Sequence, residues 1–356
     1  MKKVLYISAV SEESPGGYRK RSFCSYLKMN SSLIILYLLD KKESRYLKLV
    51  RKLIDRTSFL PDSHMLYYFS YRKKIKTLLK SNKFDYVFIQ TLPFTLLLFC
   101  DLVKKIQPSV KLVVDMSDPI VINANFKRYA YLKRWELKEI EKKCLNKVDY
   151  LIVLNKEIED YYLTRVNDGT SIMIIEQGTD YVPCMERLAY TPVLQFVYAG
   201  VFYEKLREPY CLYDGIKMHE DHVKLVVCGS FKKKFVPPVE KCFKYMGSIS
   251  KENIFQLYDR SHVIIFIDNY DSYQIPGKLF EVLASNKAIL FIYFNENSPT
   301  LRYIDGVEGV FLAHYGKLEI QEAIDKIFNS YHGLYNRNIN QYLWVYLLKR
   351  LDILFD

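Results

Sequence analysis

Six times in its first half and six times in its second, this chain sets down a short run of β-branched and leucine residues, and helical spacing fills most of the gaps between the runs. The first set is 3–10, 32–39, 86–90, 111–116, 150–154 and 171–177. The second is 194–200, 223–229, 243–247, 262–268, 288–294 and 309–314. Continuous apolar strands are those buried on both faces, and strands separated by helices pair in parallel. The pattern therefore predicts an α/β chain of two doubly wound parallel sheets. The period is lost at 179–192, which carries two prolines, so the expected domains are 1–182 and 190–335. The tail 336–356 reads as an amphipathic helix packing back on the first domain. Ligands of such sheets bind beyond the carboxyl ends of the strands, so two facing units offer a cleft between them.

The chain has 356 residues, half of them apolar, which suits two ordinary cores. Seven scattered cysteines without a C-x-x-C pair argue against a disulfide framework or a structural zinc site and fit buried thiols in a reducing compartment. The opening MKKVLYISAV holds too short an apolar run for a signal core and reads as a first buried strand. No other run approaches the ~20 apolar residues of a membrane span. A cytoplasmic protein is expected.

Charge is uneven. Residues 1–180 hold 32 Lys and Arg against 20 Asp and Glu, whereas 181–356 hold 20 of each. Much of the excess lies in 41–56, 71–80 and 127–143, where cations alternate with Tyr, Leu and Ile at helical spacing. Two readings stand: solvated basic faces, or interfacial helices on anionic lipid. Charge alone would also suit nucleic acid, but no nucleic-acid motif accompanies it, and none is expected as a partner.

Three segments have residues suited to chemistry. SPGGYRKR places Gly16 and Gly17 between a strand and a helix, where backbone amides can approach an anion; a tight turn explains them equally well. YAGVFYEKLREP ends a strand at Gly200 and follows it with Lys205 and Arg207, two cations able to neutralise a diphosphate; an ordinary solvated loop explains them equally well. IPGKLFEVLASNK opens a helix with Pro276, Gly277 and Lys278 and carries Glu281 one turn inside. Proline suits a first turn, glycine leaves the amides uncovered, and a carboxylate can accept from both hydroxyls of a ribose. A first-turn acid paired with Lys278 is the plainer account. Asn286 is expected in the left-handed position that ends this helix. There is no Asp-x-Asp, and HEDH at 219–222 reads as charged surface.

In order along the chain, these pieces resemble glycosyltransferase family 4. PGGYRKR is similar to the family's Gly-Gly opening loop and LVVDMSDP to its strand ending in His-Asp or Arg-Asp, with Asp118 as the acid. FVYAGVFYEKLREP is similar to its basic loop, and IPGKLFEVLASNKAIL to its Pro-(Ser/Gly)-Lys-x-x-Glu-x-x-Ala helix. The resemblance implies a GT-B fold of two Rossmann-like domains, the first binding acceptor and the second a nucleotide-diphosphate sugar. It implies a retaining, metal-independent hexosyl transfer with no cofactor, to a polysaccharide or lipid-linked oligosaccharide at the inner membrane face. Glu281 would hold the ribose. Lys205 and Arg207 would stabilise the departing diphosphate, with Asp118 also catalytic. Gly16, Gly17, Gly200, Pro276, Gly277 and Lys278 would complete the donor site. The family's first Glu falls at Tyr273, with Asp271 near it, and its donor-side His at Ser117. These departures motivate the alternative of a catalytically silent GT-B scaffold that binds nucleotide or glycan.

Overall fold

The computed structural model describes residues 1–9, 11, 17–38, 61–91, 93–122, 126, 129–270 and 275–355. Gly16, the basic segment 41–56, Asp271 and Tyr273 lie outside the described residues. The chain forms two compact units, Met1–Gln177 with Leu347–Asp356, and Gly178–Tyr346.

Unit 1 contains six strands: β1 (Lys3–Ser8), β2 (Ser32–Tyr37), β3 (Tyr86–Gln90), β4 (Lys111–Asp115), β5 (Tyr150–Val153) and β6 (Ser171–Ile174). All pair in parallel, in the order β2-β1-β3-β4-β5-β6. The period of two divides each strand between faces. Leu5, Ile7, Val87, Ile89, Leu112 and Val114 join a core with α2 (Tyr68–Ser81), α3 (Phe99–Ile106) and α4 (Tyr131–Leu145). In α2 the buried Tyr71, Ile75 and Leu79 recur every four residues, which leaves Arg72, Lys73, Lys76 and Lys80 in solvent, while the half-buried Lys74 donates to the Leu38 carbonyl at 3.2 Å. At the carboxyl edge, Arg19 of α1 (Tyr18–Asn30) makes a buried pair with Asp115 at 2.9 Å. Its other nitrogen donates to the Ile175 and Glu176 carbonyls, each at 3.0 Å. One guanidinium thus ties α1 to the ends of β4 and β6. Removing either partner would strand a buried charge at a cost of about 3–5 kcal/mol.

Unit 2 contains β7 (Leu194–Ala199), β8 (Val223–Cys228), β9 (Phe243–Gly247), β10 (Val263–Ile267), β11 (Ala288–Tyr293) and β12 (Val310–His314), again all parallel, in the order β12-β11-β10-β7-β8-β9. After α5 (Lys156–Leu163), the last helix before β6 in unit 1, the helices of unit 2 are α6 (Tyr210–Lys217), α7 (Lys251–Asp259), α8 (Lys278–Leu283) and α9 (Lys317–Ser330). Phe196, Leu225 and Ile265 face α6 and α9, while Val197, Val226 and Ile264 face α8.

Two expectations need correction. The segment read as an interdomain break belongs to unit 2, because Tyr181 donates to Asp259 at 2.7 Å, Cys184 N–H donates to the same oxygen at 2.9 Å, and Tyr181 stacks on Phe255 at 4.7 Å. The tail is not one helix. It is a succession of short turns, Ile339–Tyr342, Trp344–Leu347 and Leu348–Leu354, in which Trp344 is buried. Asparagines at 336, 338 and 340 are weak helix formers, and the backbone instead bridges to Thr179. Beyond Tyr346, Arg350 donates to the Ile174 carbonyl at 2.6 Å and pairs with Glu176, and Tyr26 donates to Asp352, so the last residues belong to unit 1. All seven cysteines are free and five are buried. Among the described residues no helix is long and apolar enough to cross a membrane.

Glu141 of α4 is buried against Tyr162, whose hydroxyl donates to it at 2.9 Å. Burial pushes its carboxyl up from 4.5 to about 7, against that hydrogen bond and the Arg165 charge. The folded state therefore holds this proton longer than the unfolded chain, and the linked stability falls as pH rises through that interval. Glu141→Gln should raise stability at pH 8 by roughly 2–3 kcal/mol and flatten the decline below it, as denaturant melts at several pH values will show.

Candidate active site

In unit 2 the strand order reverses beside β7, with β8 on one side and β10 on the other. Loops leaving the carboxyl ends of β7 and β10 therefore diverge, and this is where open α/β sheets bind ligands. The chain leaves β7 through Gly200 with no room to spare. A β-carbon there would lie 2.8 Å from the Tyr198 hydroxyl, and one on Gly229 (φ +147°) would lie 1.9 Å from the Gly200 carbonyl. Phe202 stacks flat on Tyr198 at 4.4 Å, and Tyr203 and Arg207 then pair their backbones in both directions at 2.8 Å. Lys205 forms the tip of this tight turn at φ +63°, the left-handed region costly for a side-chain-bearing residue. Its N–H donates to the Glu208 carboxylate at 2.9 Å.

Arg207 turns back toward the sheet and donates to Asn269 Oδ1 at 3.0 Å. Its Nε is buried with no hydrogen-bond partner. Asn269 is itself oriented by the preceding Asp268, which is buried and accepts from the Asn269 N–H at 2.8 Å, Ser298 at 2.5 Å and Thr300 at 2.9 Å. Burial raises the Asp268 pKa, and these hydrogen bonds together with the Arg207 charge oppose the rise. Lys205, Arg207 and Glu208 line a shallow cavity of about 310 Å³, walled by Tyr270, Phe294 and Tyr315.

The second group stands on α8, which is anchored by four buried apolar side chains, Leu279, Phe280, Val282 and Leu283. At about 1.5–3 kcal/mol each, they fix the helix firmly. Lys278 and Glu281 are the residues of α8 left at the surface. Glu281 Oε2 lies 3.4 Å from Lys278, as the plainer account expected, but Oε1 lies 3.3 Å from Lys251. The carboxylate is neither sealed nor fully solvated, with 12 % of the side chain exposed. Lys251 was not among the residues read from the sequence. It is the first residue of α7, whose start is fixed by Ser250 accepting from the Asn253 N–H at 3.2 Å. The serine cap was the available signal. Pro276 accepts from Leu279 N–H at 2.9 Å, and the exposed Gly277 has ordinary helical angles (φ −56°), so its value is a bare backbone rather than an unusual conformation. Asn286 does not take the left-handed position. Among the described residues with side chains only Lys205 has positive φ, and Asn286 is buried with its amide 2.8 Å from Met185 sulfur.

Gly17 and Asp118 lie in unit 1. Gly17 precedes α1 and is buried, and Asp118, half-buried, lies three residues past the end of β4 with Ser117 beside it. The HEDH histidines are more engaged than a charged surface predicts: His219 meets Asp325 at 2.9 Å, and His222 meets the Pro192 carbonyl at 3.2 Å. Among the described residues, Glu220, Glu240 and Cys242 cluster closely enough to hold a metal ion. They precede β8 and β9, at the opposite edge of the sheet from Arg207 and Glu281.

No family model matches this sequence, and no curated protein matches it. Solved structures do. HepE of Anabaena, in complex with UDP and glucose, is similar with a TM-score of 0.66 at 10 % identity, covering 99 % of both chains. A glycosyltransferase of Rickettsia africae gives 0.64 at 15 %, covering 99 % of this chain and 97 % of the other. Sucrose-phosphate synthase of Thermosynechococcus elongatus gives 0.61 at 11 %, covering 100 % and 95 %. At such identities the likeness establishes the fold, which is the GT-B fold of two Rossmann-like units.

The left-handed turn yields a test that separates backbone from charge. Lys205→Gly should leave the protein as stable or up to about 1 kcal/mol more stable, since glycine adopts this conformation freely. Lys205→Val should destabilise it by a similar amount or more. Thermal melts of both variants decide the matter.

Proposed function

We propose that this chain is a retaining glycosyltransferase of the family 4 kind, moving a hexose from a nucleotide-diphosphate donor to a polysaccharide or lipid-linked oligosaccharide. The observation that carries the reading is the half-open Glu281 carboxylate held between Lys251 and Lys278 at the carboxyl edge of the unit 2 sheet. Each lysine engages one oxygen at a long distance. A carboxylate has about four acceptor sites, so room remains for a vicinal diol. Lys278, a third exposed, has further N–H donors for phosphate oxygens.

Arg207 and Lys205, after β7, supply the charge on which a leaving diphosphate depends as its bond to the sugar breaks. With four cations at this edge, the reading needs no metal and no other cofactor. In the retaining step the bond from the anomeric carbon to phosphate oxygen breaks while the acceptor oxygen bonds to the same face. The departing phosphate takes the acceptor's proton. Gly200, Pro276, Gly277 and Lys278 would line the donor. Unit 1 would bind the acceptor, with Gly17 and Asp118 at its carboxyl edge, and its basic helices would bring a cytoplasmic protein to the inner membrane face.

Glu281→Ala should weaken binding of the preferred nucleoside diphosphate by ~1.5–3 kcal/mol, the usual worth of hydrogen bonds to a charged group. Calorimetric titration of a variant shown to be folded reads this directly, and unchanged affinity contradicts the role. Ser117, where the family has histidine, favours the silent scaffold as the second reading. Incubation with labelled nucleotide sugars separates them: transfer or donor hydrolysis supports the enzyme, and binding without turnover supports the scaffold.

A further inference from the structure

We propose that two helix starts on unit 1, Leu66–Phe69 and Tyr131–Trp135, form a docking surface for an anionic lipid bilayer. The proposal gives a place to the membrane partner of the reading above, and rests on that reading only for the lipid-linked acceptor.

Five large apolar side chains stand in solvent here: Leu66 (48 % exposed), Phe69 (80 %), Tyr131 (73 %), Leu132 (60 %) and Trp135 (59 %). Tyr131, Leu132 and Trp135 are spaced i, i+1, i+4 and so occupy one arc of α4. Both helices lie on one face of the sheet, since Tyr71, Ile75 and Leu79 of α2 and Leu137 and Leu145 of α4 enter the same core. Each helix finishes just before the strand it feeds, Ser81 ahead of Tyr86 and Leu145 ahead of Tyr150. The strands are parallel and begin at the amino edge, so both helix starts lie at the carboxyl edge. That is the edge with Gly17 and Asp118.

Cations follow these side chains down both helices. Arg72, Lys73 and Lys76 are exposed on α2, which has no acidic residue. On α4, Lys138 and Lys142 are exposed, and with Arg134 and Arg165 they line a cavity of about 670 Å³ that also has Glu139 and Glu141 in its wall. The Nε of Arg134 is sealed from solvent there and has no hydrogen-bond partner. Aromatic and leucine side chains backed by lysine and arginine match the interfacial region of an anionic bilayer, where rings sit at headgroup level and cations meet phosphate. A protein partner fits less well, because protein interfaces are depleted of lysine.

The chain has only two tryptophans, and the other, Trp344, is buried, so Trp135 reports this surface. With the full chain at low ionic strength, vesicles of phosphatidylcholine mixed with phosphatidylglycerol should shift its emission to the blue, and brominated acyl chains should quench it. Phosphatidylcholine alone should do much less. Lys138→Ala should lower partitioning about fivefold, from ~1 kcal/mol per cation near the surface. The double change Leu132→Ser with Trp135→Ser, followed by sedimentation with vesicles, should lower it at least about tenfold and leave nucleoside diphosphate binding intact. No spectral response to anionic vesicles, undiminished sedimentation of the double variant, or burial of Trp135 by self-association without lipid would each overturn the proposal. A chain that docks on vesicles but binds no nucleotide would overturn the transferase reading alone.

Discussion

Parallel strands joined by right-handed crossovers carry all their carboxyl ends to one edge, and in unit 2 the order reverses beside β7. That constraint assembles everything chemical in the unit. The loop after β7 brings Arg207, the loop after β10 brings Asp268 and Asn269, α7 begins with Lys251, and α8 begins with Lys278. None of these residues is adjacent in sequence to more than one other. The sheet brings them to one edge, and its buried faces keep the helix starts there.

The charges at this edge are arranged in depth. Asp268 is buried and saturated by two hydroxyls and a backbone N–H, so it acts as a rigid post for Asn269, which in turn receives Arg207. Glu281 is nearer the surface and contacts its lysines at the outer limit of an ion pair. Both contacts are longer than the roughly 2.7–2.9 Å of a tight charge-assisted hydrogen bond. An anionic ligand with hydroxyls can therefore rearrange them cheaply: its phosphates take lysine N–H groups while its hydroxyls take the carboxylate. A tightly closed pair would oppose that exchange.

Much of this was legible in the sequence, because burial on both faces leaves an unbroken apolar run that few other environments tolerate. Every strand run read from the sequence corresponds to a strand, and the helical spacing of 131–145 and 278–283 follows from their apolar anchors. What escaped was set by tertiary contact. Lys251 becomes a partner of Glu281 only because α7 and α8 start at the same edge. Asn286 looks like a helix-ending residue, yet it is buried, with its amide on Met185 sulfur and its carbonyl accepting from the Tyr335 N–H. Lys205 gave no hint of a left-handed backbone, which the two-way pairing of Tyr203 with Arg207 imposes. The tail has the apolar content of a helix, but it must supply residues to both units in turn, and short turns allow that.

The central claim is that the carboxyl edge of unit 2 grips a nucleotide diphosphate. Backbone hydrogen exchange with and without a panel of nucleoside diphosphates tests it most directly. The account predicts that at least one of them slows exchange at 200–208, 249–252 and 277–284. Protection at the opposite edge instead, around 219–222 and 240–242, or no protection by any nucleoside diphosphate at saturating concentration, would contradict it.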